Sequence, residues 1–281
     1  MPTRLAPDRE GRWAVVTGGS SGIGRAHAFE LAARGFDIVL VGRDQGRLDS
    51  TAAELGTRHG VTAETAAVDL AGDRAAEALL TQLGDREVGV FVATAGTGAP
   101  GDFTDVALDY YLDCVNVKVR NNVALLHAFA PSMRGRGAGA LLIVSSTGAL
   151  QGVASLSVNA ASEAFLLSLS EALHDELRPH GVRVTGLMPG PTDTPGLRSM
   201  LGDQKRPPGV MTAEATAREG MRALEAGRRT HVASASTRVM VRILPRPLRI
   251  RMFSRMLGRL FAAGTADQRT DEPAASTAVR G

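Results

Sequence analysis

Lysine is nearly absent from this chain. Only Lys118 and Lys205 are lysines, and the other basic residues are arginines, a bias that reads as genome composition rather than function. Cysteine occurs once, at Cys114, which excludes an intrachain disulfide. With no signal-peptide pattern at the N-terminus, a cytoplasmic location is the expectation. Tyrosine is scarce too, with only Tyr110 and Tyr111. No apolar run is long enough to span a bilayer. Net charge is only +3, so there is no global field for nucleic acid and no nucleic-acid partner is expected. No metal site is expected. What the chain does have is 281 residues at 44% hydrophobic content, enough for one large α/β domain with a sizeable core.

One stretch organises the rest. Thr17-Gly18-Gly19-Ser20-Ser21-Gly22-Ile23-Gly24 follows an apolar run from Trp13 to Val16 and precedes a helical pattern from Arg25. A strand, a glycine-rich turn and a helix N-terminus form a pyrophosphate cradle. Glycine lets the backbone approach phosphate, and the helix end offers unpaired N–H groups and a positive dipole.

Further apolar runs at 37–41, 62–68, 88–92, 140–145, 182–187 and 230–233 read as strands. Helical patterns at 45–58, 73–83, 104–133, 153–178 and up to Ala226 fall between them, with a proline- and glycine-rich loop over 189–210. Short apolar strands alternating with helices predict a single Rossmann-type, doubly wound parallel sheet with helices on both faces. Ligands then bind at the carboxyl ends of the strands. Residues 1–10 are expected to be a flexible arm, 11–235 the domain, 236–264 a basic extension and 265–281 a disordered tail.

Several motifs fall at such strand ends. They are the turn from Thr17 to Gly24, Asp69-Leu70, Ala95-Gly96, Asn116 in the following helix, Ser145-Ser146, and the run from Pro189 to Thr194. In this order they make residues 11–235 similar to the short-chain dehydrogenase/reductase family. The resemblance implies a nicotinamide cofactor held by Gly18, Ser20, Ser21, Gly22, Ile23 and Gly24. It implies adenine contacts at Asp69 and Leu70, further contacts at Ala95 and Gly96, and a carboxamide loop at Pro189, Gly190, Thr192 and Thr194. At the end of the second strand Gly42 stands where a carboxylate would bind a ribose diol, and Arg43 follows. A guanidinium forks onto a phosphate, which favours NADP(H) over NAD(H).

The resemblance also implies a catalytic serine, a tyrosine thirteen residues on and a lysine four beyond that. Counting from Ser146, those places hold Asn159 and Glu163. Both tyrosines lie far upstream, and neither lysine is in this helix. Asn159 has no titratable proton but can donate a hydrogen bond to an oxyanion. Glu163 shares its helix face and, in an apolar cleft, could serve as an acid. Ser146, Asn159, Glu163 and Asn116 are therefore the candidate catalytic residues. Asn116 would normally relay protons to the missing lysine. Lys118, two residues on, is read as a solvated lysine pointing elsewhere.

Three functions stay open. The first is an NADP(H)-binding enzyme with a remodelled site, an atypical carbonyl/alcohol or enone oxidoreductase acting on a small molecule. The second is a non-redox enzyme such as a cyclase, isomerase or dehydratase. The third is an NADP(H)-sensing pseudoenzyme. A homo-oligomer is expected. From Arg238 to Arg259 there are seven arginines and no acidic residue, and Leu248, Met252, Phe253, Met256, Leu257 and Leu260 fall at helical spacing. This basic amphipathic stretch either contacts a membrane peripherally or docks on the body, on the substrate cleft or across an oligomer interface.

Overall fold

The computed structural model describes residues 3–96, 100–201 and 209–255. Its main sheet has seven strands in the order β3-β2-β1-β4-β5-β6-β9, every pair parallel. In chain order they are β1 (Trp13–Thr17), β2 (Asp37–Gly42), β3 (Ala63–Ala67), β4 (Val88–Ala93), β5 (Gly139–Val144), β6 (Val182–Met188) and β9 (Thr230–Val232). The order reverses between β1 and β4, as the doubly wound expectation requires. Two short strands, β7 (Thr192–Asp193) and β8 (Met211–Thr212), pair with each other apart from the sheet.

Alternation along each strand explains the continuous apolar runs. Val15, Val39, Val41, Phe91, Leu141 and Ile143 pack on one face, against α4 (Ala75–Leu83), α6 (Asn121–Arg136) and α7 (Ser157–Leu177). Ala14, Val16, Ile38, Leu40, Val92 and Leu142 pack on the other, against α2 (Gly22–Ala32), α3 (Gln45–His59) and α9 (Ala213–Glu225). Both faces are buried, so neither needs polar residues. Asp44 starts α3 by accepting from Arg47 N at 3.0 Å, and Gly60 ends it in the left-handed region at φ 68°.

The segment expected as a loose arm packs on the body. Leu5 is buried, Glu10 is 1% exposed, and the one-turn helix α1 (Pro7–Glu10) is tied to β6 through the Arg183–Glu10 ion pair. The long helical pattern at 104–133 is also interrupted. Between α5 (Leu108–Val115) and α6, residues Asn116–Arg120 form a π-helical turn. Two amides tie its carbonyls: Asn121 Nδ2 donates to Asn116 O at 3.2 Å and Asn122 Nδ2 to Lys118 O at 3.0 Å. Period-3.6 reading misses a turn that takes in extra chain. The proline- and glycine-rich loop contains a helix, α8 (Pro195–Leu201).

At the C-terminal end, α10 (Ala235–Ile243) is followed by a helix over 246–255. Met256, Leu257, Leu260 and the tail from 265 lie outside the described residues.

Candidate active site

Two cavities of about 280 Å³ each meet at Gly18, Ser21, Ala95 and Gly96, at the carboxyl ends of β1 and β4. Thr17 fixes this junction. Its Oγ1 accepts from Thr94 N at 3.0 Å and Ala95 N at 3.2 Å, so the turns after β1 and β4 hold each other. Gly24 has no space for a side chain: a Cβ there would lie 2.3 Å from Gly18 O. Gly22, at φ 52°, occupies the region glycine favours. Ser21 caps α2 without using its side chain, which leaves the first N–H groups of the helix facing the cavity.

The outer cavity is lined by Ser20, Gly42, Arg43, Asp69 and Leu70, which the sequence placed together. Arg43 is exposed and has no ion pair among the described residues, because neighbouring Asp44 is bound to Arg47. Asp69 Oδ1 accepts from Ala71 N at 3.0 Å and shapes the turn. The floor behind it is held by Asn121, whose Nδ2 donates to Leu70 O at 2.8 Å and whose Oδ1 accepts from Ala76 N at 3.0 Å.

The inner cavity is lined by Gly22, Ile23, Gly24, Ser145, Glu163 and Thr194, and by Lys118. Here the expectation for Lys118 is corrected. It is 5% exposed, and Nζ donates to both Asn159 Oδ1 and Glu163 Oε1. The two-residue spacing does point Asn116 and Lys118 apart, but the π turn sends the lysine, not the asparagine, toward α7. Asn116 turns to the β3–α4 connection, donating to Ala71 O at 2.9 Å and Asp73 Oδ1 at 3.1 Å. Gly96 makes room for the lysine, since a Cβ there would lie 3.4 Å from Lys118 Cε. Glu163 Oε2 is buried with no hydrogen-bond partner.

Other candidates are placed differently as well. Ser146 Oγ accepts from Gly148 N at 2.8 Å and caps a 3₁₀ turn, Thr147–Leu150. Ser145 is the serine that lines the cavity, with Oγ donating to Glu163 O at 2.9 Å. In the run after β6, Thr194 faces the cavity with Pro195 and Gly196. Thr192 is buried, donating to Gly190 O at 3.0 Å, and Gly190 packs on Ser234 and Thr237. Pro189 O accepts from Thr147 N at 3.2 Å. Neither tyrosine lines the cavity that holds Lys118: Tyr110 lines the outer one, and Tyr111 stacks on Phe103.

Sequence reading missed Lys118, yet a signal was there. One of only two lysines stands in the run Val115-Asn116-Val117-Lys118-Val119, and an unpaired acid, Glu163, occupies the facing helix. Cys114 lies behind this pair, and burial pushes its thiol up. Among the described residues no cluster of His, Cys, Asp and Glu could hold a metal ion.

A family model described as short chain dehydrogenase matches residues 12–205. The very-long-chain 3-oxoacyl-CoA reductase of Mus musculus is 34% identical over 189 residues, 66% of this chain and 61% of the relative. The inactive hydroxysteroid dehydrogenase-like protein 1 of Homo sapiens is 32% identical over 182 residues, 64% of this chain and 55% of the relative. The chain thus spans about three-fifths of the length of these curated relatives. Among solved structures, a short-chain dehydrogenase from Sphingobium yanoikuyae in complex with NADPH matches with TM-score 0.73 and 26% identity, covering 95% of this chain and 98% of that one.

Proposed function

We propose, from the premise that this chain belongs to the short-chain dehydrogenase family, that it is an NADPH-dependent oxidoreductase of carbonyl and alcohol substrates whose acid–base group is Lys118. The observation that carries this reading is the buried Lys118 ammonium, bound by Asn159 and Glu163, in the same cavity as the glycine turn.

The residues fit the cofactor. The Gly18–Gly24 contact leaves a cradle that side chains would fill, α2 directs unpaired N–H groups into it, and the free Arg43 guanidinium suits a 2′-phosphate. NADPH, when bound, supplies a hydride to the substrate carbon. The chain must then manage the charge that develops on the substrate oxygen. A lysine ammonium has three N–H donors. Two go to Asn159 Oδ1 and Glu163 Oε1, and the third is left for the substrate oxygen. Lys118 gives up that proton as the alkoxide forms and regains one from solvent. Oxidation of an alcohol runs the transfer in reverse. Asn159 and Glu163 thereby serve to aim the ammonium rather than to transfer the proton themselves.

A test uses Lys118→Met with Glu163→Gln, which removes both buried charges together. Deuteride transfer from labelled NADPH to a panel of ketones and enones should fall by about a hundredfold to a thousandfold. NADPH binding should persist. Unchanged turnover in the double variant overturns the role of Lys118, and absence of NADPH binding by the wild type overturns the whole reading. A second reading, cofactor binding without turnover, is favoured by the double clamp on Lys118 and by the word "inactive" in the name of the human relative. Tight NADPH binding with no deuteride transfer to any tested carbonyl would select it.

A further inference from the structure

The C-terminal helices turn part of their apolar surface outward, although Met240, Val241, Leu244, Ile250 and Phe253 are half-buried. On α10 the buried side chain is Thr237, whereas Val239 is 57% exposed and Ile243, one turn on, is 71% exposed. On the helix over 246–255 the same pattern recurs, with Leu248 51% and Met252 39% exposed at the same one-turn spacing. An amphipathic helix normally turns this stripe inward. Arginines flank it: Arg238 and Arg242 lie beside the first pair, and Arg251 and Arg255 beside the second, all four exposed. No acidic residue occurs between Arg238 and Arg255 to neutralise them.

We propose that this face docks on an anionic lipid surface. Aliphatic side chains enter the boundary between headgroups and acyl chains, while the flanking guanidinium groups lie level with the lipid phosphates, their stems extended along the apolar stripe. The complement of uniform positive charge is a uniformly negative surface, which a second copy of this same basic face does not offer. Both helices are short, Ala235–Ile243 and 246–255. Among the described residues no helix is long and apolar enough to cross a membrane, so the contact is peripheral. The surface also adjoins the catalytic side of the fold. Ala154 N donates to Ser254 Oγ at 3.2 Å, and Gly190 packs against Ser234 and Thr237 at the start of α10.

The experiment is sedimentation of the full chain with vesicles of phosphatidylcholine, with and without about one-third phosphatidylglycerol. Binding is expected only to the anionic vesicles and should weaken as salt rises. Each of Arg242→Gln and Arg251→Gln should weaken it about fivefold. Ile243→Ser with Leu248→Ser should reduce it further. These side chains are exposed, so the thermal midpoint of each variant should match the wild type. Equal partition with neutral and anionic vesicles, or none with either, overturns the proposal. So does a face that proves to be a dimer contact, where Ile243→Ser with Leu248→Ser yields a monomer and vesicle binding does not change.

Discussion

Acidification should destabilise this protein through one histidine. His27 sits on α2 one turn beyond the glycine turn, fully buried. Its Nδ1–H donates to Ile23 O at 2.9 Å, which leaves Nε2 as a bare acceptor. That nitrogen is buried without a partner, and a Cβ on Gly220 of α9 would lie only 2.8 Å from it. A proton on Nε2 would have no acceptor. Burial, with a smaller contribution from the positive charge of Arg34, lowers the His27 pKa to about 4, against the opposing pull of the Ile23 carbonyl. The unfolded chain therefore takes up the proton first. Stability is complete above the unfolded value near 6.5 and is lost as pH falls toward about 4. The gap of roughly 2.5 units corresponds to about 3 kcal/mol in full, and about 2 kcal/mol of it is lost by about pH 5. That is a large share of the 5–15 kcal/mol that typically separates folded from unfolded chains, roughly speaking. His27→Asn retains a donor for Ile23 O and removes the titrating nitrogen. Urea unfolding between about pH 7.5 and pH 4.5 should show the wild type losing this increment and the variant lacking it. Parallel pH profiles for the two proteins would refute the assignment.

Other outcomes follow from the cleft. Arg43→Ala should cut the preference for NADPH over NADH by about tenfold, read from the two dissociation constants, because the lost contact is charge-assisted. Gly24→Ala forces a Cβ against Gly18 O and should abolish cofactor binding while costing about 1–3 kcal/mol in thermal or urea unfolding. Asn121→Ala strands the carbonyl of Leu70 and the N–H of Ala76, and should destabilise by about 1–3 kcal/mol while weakening NADPH binding through the outer cavity. A melt of that variant within error of the wild type would mean that water replaces the amide.

Much of the architecture was legible because it rests on periodicity. The apolar runs at Ala14–Val16, Ile38–Val41 and Val90–Val92 can only be two-sided strands, and the glycine spacing placed the cradle at their carboxyl ends. Gly42, Arg43, Asp69 and Leu70 line one cavity because each stands where a strand stops, a position that the apolar runs mark. The inner cavity was harder. Asn116 and Lys118 are two residues apart, and which of them faces α7 depends on a π turn that no 3.6-residue pattern encodes. A lysine is ordinarily solvated, and only its partner on another helix, Glu163, makes burial tolerable. Ser145 and Ser146 are neighbours in an extended segment, so a choice between them needed the fold. The outward aliphatic stripe of α10 was hidden because sequence shows amphipathicity but not which side meets the body.

The charges at 118 and 163 sit on separate helices and satisfy one another. Replacement of either codon alone leaves a solitary ion in the interior, a penalty of about 3–5 kcal/mol. Exchange of the two charges between these helices is therefore not expected to proceed by independent steps in a marginally stable background. The two positions are expected to change as a couple, or to wait for unrelated stabilising substitutions that let the chain survive the intermediate.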